Sequence, residues 1–164
     1  MYIETEKKLR ELYGFPKGRS KDKQLDRLEV HTKRFISLSP FVLISTCSKQ
    51  GDLDCSPRGG NAGFVVPVND HCLLIPDSKG NNRLDSFVNI VNTGKVGCLF
   101  LIPGVDETLR VNGEAKISTS PEYLNRYTEW SNPPRACIVV SINEVFLHCA
   151  KALMRSGLWD QNNK

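Results

Sequence analysis

The part of this chain best equipped for chemistry is Leu73-Leu74-Ile75-Pro76-Asp77-Ser78-Lys79-Gly80-Asn81-Asn82-Arg83, where an apolar run ends in a polar loop. Helical spacing follows, so the loop leads from a strand into a helix. Backbone N–H groups at a helix start carry partial positive charge; Lys79 and Arg83 add full charge, and Ser78, Asn81 and Asn82 add donors. That set suits a phosphate or another anion, and equally an ordinary helix start capped by Asp77 or Asn81. A second cation stands in Cys55-Ser56-Pro57-Arg58-Gly59-Gly60. There the paired glycines either let a backbone approach a ligand closely or make a turn with a solvated arginine. Two such loops facing one phosphate would be far more specific than either alone. A third group, His148, Lys151, Arg155, Ser156 and Trp159, follows or ends the last apolar run. It suits a flat aromatic ligand, by stacking or hydrogen bonding, or a helix end whose dipole the cations complement while Trp159 pins the terminus.

Other reaction classes find less support. His31, His71 and His148 are widely spaced and form no H-x-x-x-H pair, so zinc or non-haem iron is not expected. His148 and Cys149 are adjacent, and neighbours on a strand point to opposite faces. The chain has no G-x-S-x-G elbow, P-loop or complete Rossmann fingerprint. A bound cofactor is the expected bearer of the chemistry.

The 164 residues suffice for one good core and are too few for two ordinary domains. Lys and Arg number 22 against 18 Asp and Glu, a net charge of +4 spread along the chain, which does not call for nucleic acid. Six cysteines without a C-x-x-C pair, mostly inside apolar runs, read as buried thiols in strands of a protein from a reducing compartment. The first ten residues are mostly charged, and no apolar stretch is long enough to span a bilayer. A soluble cytoplasmic protein is expected.

Several elements must position these residues. Leu9, Leu12 and Tyr13 predict a short helix over 2–13, packed on the main body and stopped by Gly14 and Pro16. Residues 17–23 read as a solvated linker or a basic arm. A second helix over 28–38 ends at Ser39-Pro40, because the residue before proline is pushed out of the helical region. The period then becomes strand-like. Residues 41–47 form a strand and 48–52 a turn, after which Leu53, Cys55 and Pro57 alternate with Asp52, Asp54 and Ser56, giving a hairpin with one face buried. Strands over 64–68 and 72–75 follow, with Pro67 marking an edge or a bulge. Leu84, Phe87, Val88 and Val91 predict an amphipathic helix over 82–91.

Residues 96–102 form another strand, and 108–118 the cleanest alternation. Leu109, Val111, Gly113, Ala115 and Ile117 share one face, and Arg110, Asn112, Glu114 and Lys116 the other. Ser120-Pro121-Glu122 starts a helix to about residue 128, with Ser120 as cap. A long strand over 136–149 with a bulge near Asn143-Glu144, then a helical turn over 150–154, completes the chain. Six or seven strands with few helices predict a mainly β fold, an antiparallel barrel with flanking helices.

The order of motifs carries a resemblance. Ser39-Pro40-Phe41, Ser56-Pro57-Arg58-Gly59, Leu74-Ile75-Pro76-Asp77 with Gly80-Asn81-Asn82-Arg83-Leu84, Leu99-Phe100-Leu101-Ile102-Pro103-Gly104, Thr108-Leu109-Arg110-Val111-Asn112-Gly113, and His148-Cys149-Ala150-Lys151-Ala152-Leu153 through Arg155-Ser156 to Trp159 together resemble a branch of the pyridoxamine 5′-phosphate oxidase-like flavoproteins. The resemblance covers residues 28–159. It implies an FMN-binding split β-barrel of six or seven antiparallel strands over 28–164, behind an N-terminal helical extension over 1–27. It also implies a homodimer with FMN (flavin mononucleotide) in grooves between the subunits.

By the same resemblance Arg58, Ser78, Lys79, Asn82 and Arg83 surround the phosphate and ribityl chain, Ser56 is counted with them, and Arg110 reaches the same groove. Lys151, Arg155, Ser156 and Trp159 approach from the C-terminal segment of the partner. The chain departs from the oxidase itself in lacking a C-terminal Arg-x-His-type pattern. The implied function is an FMN-dependent oxidoreductase acting on an unidentified small molecule. The other reading is a module that holds a flavin, pyridoxal phosphate or, through His148, haem without turnover. Some members use a deazaflavin.

Overall fold

A computed structural model of the chain describes residues 2–15, 24–77, 80 and 82–163. Eight strands make one antiparallel sheet: β1 (Gln24–Leu25), β2 (Phe41–Cys47), β3 (Leu53–Gly59), β4 (Val66–Asn69), β5 (Cys72–Pro76), β6 (Lys95–Leu101), β7 (Thr108–Ser118) and β8 (Cys137–His148). Their order is β3-β2-β6-β7-β8-β5-β4, with β1 added on β8. The long pair β7–β8 is the spine. Leu109, Val111 and Ala115 point from it into a core shared with Val42, Ile44, Phe100 and Val140, so the alternation over 108–118 is realised. The result is a mainly antiparallel β fold with flanking helices, a split barrel. β1 lies within the segment assigned to the extension and pairs with Val145 and Phe146.

Both irregularities expected from the sequence are present. Asn112 pairs with Glu144 and Gly113 with Ile142, which leaves Asn143 bulged. β4 is an edge strand whose register shifts between Pro67 and Asn69.

The helices sit around this sheet. In α1 (Glu6–Tyr13) the Thr5 hydroxyl accepts from the Lys8 N–H at 3.3 Å, and Gly14 at φ 70° ends the helix. No residue of α1 is buried, so it does not pack on the main body as expected. Three apolar side chains on a charged eight-residue helix offer too little area to hold it there. α2 (Val30–Leu38) starts with a reciprocal capping box between Glu29 and Thr32, both bonds 2.8 Å. It ends at Ser39, which is extended as Pro40 requires and whose hydroxyl donates to the Leu101 carbonyl at 2.7 Å. α3 (Asp85–Thr93) follows the polar loop, α4 (Pro121–Leu124) continues into a 3-10 turn (Asn125–Tyr127), and α5 (Lys151–Ser156) follows β8. Ser120 makes no capping hydrogen bond to α4, contrary to expectation.

Three further expectations are corrected. On β3 the apolar alternates point outward, with Leu53 88% exposed, and the polar set Asp54, Ser56 and Arg58 lies on the inner side. The register explains this, since Arg58, Ser56 and Asp54 stand beside Val42, Ile44 and Thr46, all buried. On α3 the buried residues are Ser86 and Ile90, while Leu84, Val88 and Val91 are exposed. The helix docks on β2 and β3 through polar bonds, Ser86 Oγ to Asp54 Oδ2 at 2.6 Å and Asn89 Nδ2 to Thr46 Oγ1 at 3.0 Å, so that of the expected stripe only Phe87 packs on the core. All six cysteines are free thiols, but only Cys98 and Cys137 are buried, and Cys55 and Cys149 are exposed. Burial pushes the Cys98 thiol up to about 12 and, with nearby Asp77 adding to it, Cys137 up to about 11.

Candidate functional site

Where the core face of the sheet turns polar, on edge strand β3, a cleft of about 560 Å³ opens. That volume lies within the usual range for small-molecule sites, roughly 300–1,000 Å³. Its described lining comes from three parts of the chain: Asp54, Ser56 and Arg58 of β3; Asp77, Gly80 and residues 82–86; and residues 131–135. The Asp77 N–H donates to the Ala136 carbonyl at 2.9 Å, continuing the β5–β8 ladder. The two loops therefore leave the sheet side by side.

The start of α3 is chemically open. Its N-cap position is held by Leu84 at φ 57°, with no side-chain hydrogen bond to the helix. Among the described residues neither Asp77 nor any other supplies a side-chain cap, and Asn81, the other candidate, lies outside them; within that set the first N–H groups of a helix that lines the cleft lack a side-chain acceptor. Asn82, at φ 60°, is also left-handed. Two non-glycine residues in this region flank Arg83, at a backbone cost of about 1–3 kcal/mol each, a concentration of strain typical of ligand sites.

Arg58 is the central cation. Its side chain is 20% exposed, its Nη1 lies 4.0 Å from Asp77 Oδ1, and its Cζ sits 5.7 Å from the Phe87 ring centroid. The Nε is buried and has no hydrogen-bond partner among the described residues. A buried donor without an acceptor costs about 1–3 kcal/mol, and the Arg110 Nε, outside the cleft, is in the same state. Arg83 Nε contacts Asp85 Oδ2 at 2.8 Å at the exposed rim.

Of the residues singled out from sequence, Ser56, Arg58, Asn82 and Arg83 line the cleft together. Ser78, Lys79 and Asn81 lie outside the described residues, as does the basic stretch 17–23. Arg110 does not line the cleft. It stands on the outer face of β7, bonds Glu144 Oε1 at 2.6 Å and lies over the Phe146 ring at 5.2 Å. Lys151, Arg155 and Ser156 are exposed on α5. Trp159 is half-buried, its indole N–H donating to the Val105 carbonyl at 2.9 Å. None of these four lines the cleft of its own chain. His148 packs edge-on against Phe146, and burial, with Arg110 adding and Glu144 opposing, holds its pKa below the usual 6.5.

Gly60 serves packing: a Cβ there would lie 2.9 Å from the Cβ of core residue Phe64. Among the described residues no group of three or more His, Cys, Asp or Glu is disposed to hold a metal, and no helix is long and apolar enough to cross a membrane. Sequence reasoning missed Asp54, Ser86 and residues 131–135. The one signal for the last was Asn132-Pro133-Pro134, a stiff stretch ahead of β8.

The family model described as pyridoxamine 5′-phosphate oxidase matches residues 28–149. The chain belongs to this family. Solved structures with the same fold include HupZ of Group A Streptococcus, 15% identical, covering 73% of this chain and 93% of its own, with a TM-score of 0.61. A Lactobacillus delbrueckii protein assigned provisionally to the pyridoxamine 5′-phosphate oxidases is 20% identical and covers 76% of this chain and 98% of its own, at a TM-score of 0.56. An FAD binding protein of Mycobacterium smegmatis is 13% identical and covers 76% and 97%, at 0.51. At these identities the likeness is one of fold. No curated protein matches the chain. Members of the pyridoxamine 5′-phosphate oxidase family typically bind flavins.

Proposed function

We propose that this chain binds FMN in the β3–α3 cleft and works as an FMN-dependent oxidoreductase on a small molecule. The observation that carries this reading is the Arg58 guanidinium, 20% exposed, in a cleft that also holds the uncapped start of α3. Both features ask for an anion, and a phosphate monoester answers both. The cleft residues fit such a group. Arg58 binds it, Phe87 supports the guanidinium from behind, and Ser56 and Asn82 add polar contacts. Bound FMN would supply the hydride chemistry, for which no side chain here need act as acid or base. In a titration of flavin-free protein, FMN fluorescence should change saturably with one site per chain. An unchanged signal up to millimolar protein would contradict the reading.

The functional unit in this proposal is a homodimer, with Lys151, Arg155, Ser156 and Trp159 reaching the cleft of the partner. The outer sheet face supports it. Register places Pro57, Leu43, Leu99, Arg110 and Phe146 in one row across five strands. Leu43, Leu99 and Phe146 are half-buried in this row, Phe146 beneath Arg110 and beside His148. Leu99→Glu would place a carboxylate in the middle of that row. It is expected to turn a dimer into a monomer in sedimentation velocity, and a wild-type monomer would refute the dimer.

A further inference from the structure

Three aspartates and three arginines stand among the described residues that line the cleft. Each lining carboxylate already has a partner. Asp54 accepts from Ser86 Oγ at 2.6 Å, Asp77 faces Arg58 at 4.0 Å, and Asp85 holds Arg83 at 2.8 Å. The two arginines expected to anchor a phosphate thus each stand against an aspartate. Arg135 also lines the cleft, is exposed, and has neither an ion pair nor a hydrogen bond among the described residues. It is therefore the arginine of the described lining that no carboxylate holds.

The segment that presents Arg135 is stiff. On one side Trp130 packs edge-on against buried Tyr127 at 5.0 Å, and its N–H donates to the Tyr127 carbonyl at 3.1 Å. On the other, the Ala136 carbonyl accepts from Asp77. Between them Pro133 and Pro134 fix two backbone φ angles, and Pro134 is buried. A cation on a segment held at both ends loses little freedom on binding, which is the arrangement that favours affinity.

We infer that Arg135 is a phosphate-binding residue of this cleft, available to a ligand where Arg58 and Arg83 each stand against an aspartate. Its ligand is a phosphate monoester. That the ester is FMN rests on the reading above, whereas the anion site does not.

The test compares FMN with riboflavin, which lacks only the phosphate, and adds inorganic phosphate as a flavin-free probe. Wild type, Arg135→Gln and Arg135→Lys are titrated with all three. Arg135→Gln should weaken FMN and inorganic phosphate about tenfold and leave riboflavin unchanged, with Arg135→Lys recovering part of the loss. Equal FMN affinity in wild type and Arg135→Gln would overturn the inference and leave the flavin reading intact. An equal loss for FMN and riboflavin would also overturn it, since that is the mark of a structural role. Phosphate binding that depends on Arg135, without any flavin binding, would uphold the inference and refute FMN. Binding of none of the three by wild type would refute both.

Discussion

Arg58→Gln is expected to weaken FMN binding about 100-fold while the melting temperature changes by no more than a few degrees. The two halves of this expectation have separate causes. Guanidinium bonds to a phosphate are charge-assisted, and losing one or two of them in a partly buried cleft costs about 2–3 kcal/mol, a factor of about 30–150 in affinity. Stability should hold because the guanidinium contributes little to the folded chain without a ligand. Its contact with Asp77 is long, at 4.0 Å, and its Nε satisfies no acceptor among the described residues. Arg58→Lys should fall between, since it keeps the charge but loses the planar fork and the contact with Phe87. Fluorescence titration and thermal unfolding followed by circular dichroism check both halves. A variant that binds FMN like wild type would remove Arg58 from the site.

Gly113→Ala is expected to destabilise the barrel by about 3 kcal/mol or more, a drop of roughly 10 °C in melting temperature for a chain of this size. A Cβ at this position would lie 2.0 Å from the Ser141 carbonyl oxygen, 3.0 Å from the Ser141 carbonyl carbon and 3.3 Å from Ile142 Cα. All three are backbone atoms of β8 and cannot rotate aside. The position adjoins the bulge at Asn143, where the β7–β8 register shifts. Gly97→Ala is the informative comparison, because its nearest neighbour is the Asn112 side-chain oxygen at 3.2 Å, which can move. Its cost should be clearly smaller. Urea unfolding of the two variants separates them, and a Gly113→Ala protein as stable as wild type would contradict the close approach of β7 and β8.

Much of the fold was legible because strand alternation records burial directly. Over 108–118 one face buries and the other does not, and Pro67 and Asn143-Glu144 marked real irregularities. The same rule failed on β3 and α3 for one shared reason. Their inner surfaces form a polar cleft, so Asp54, Ser56 and Arg58 turn inward while Leu53 and Val91 turn out. Hydrophobic patterning assumes that the inside is apolar, and it misreads a chain where the inside is a polar cleft.

The site was legible in the same uneven way. Residue chemistry pointed to Arg58 and to Asn82 and Arg83 at the start of α3, and these meet in one cleft. Arg135 was not legible, because it lies far along the chain and reaches the cleft only through the pairing of Asp77 with Ala136. Arg110 shows the converse. It looked available on a polar strand face, but it pairs with Glu144 across the bulge. Distance along the chain and a charged partner on the neighbouring strand are facts of three-dimensional placement, which residue types do not carry.

The most direct test of the central claim is the absorption spectrum of the protein as purified, followed by mass spectrometry of whatever ligand heat releases. The account predicts a yellow protein with an oxidised-flavin spectrum and a released mass equal to that of FMN. A colourless protein that takes up no FMN on reconstitution, or a haem band with haem released, would contradict it.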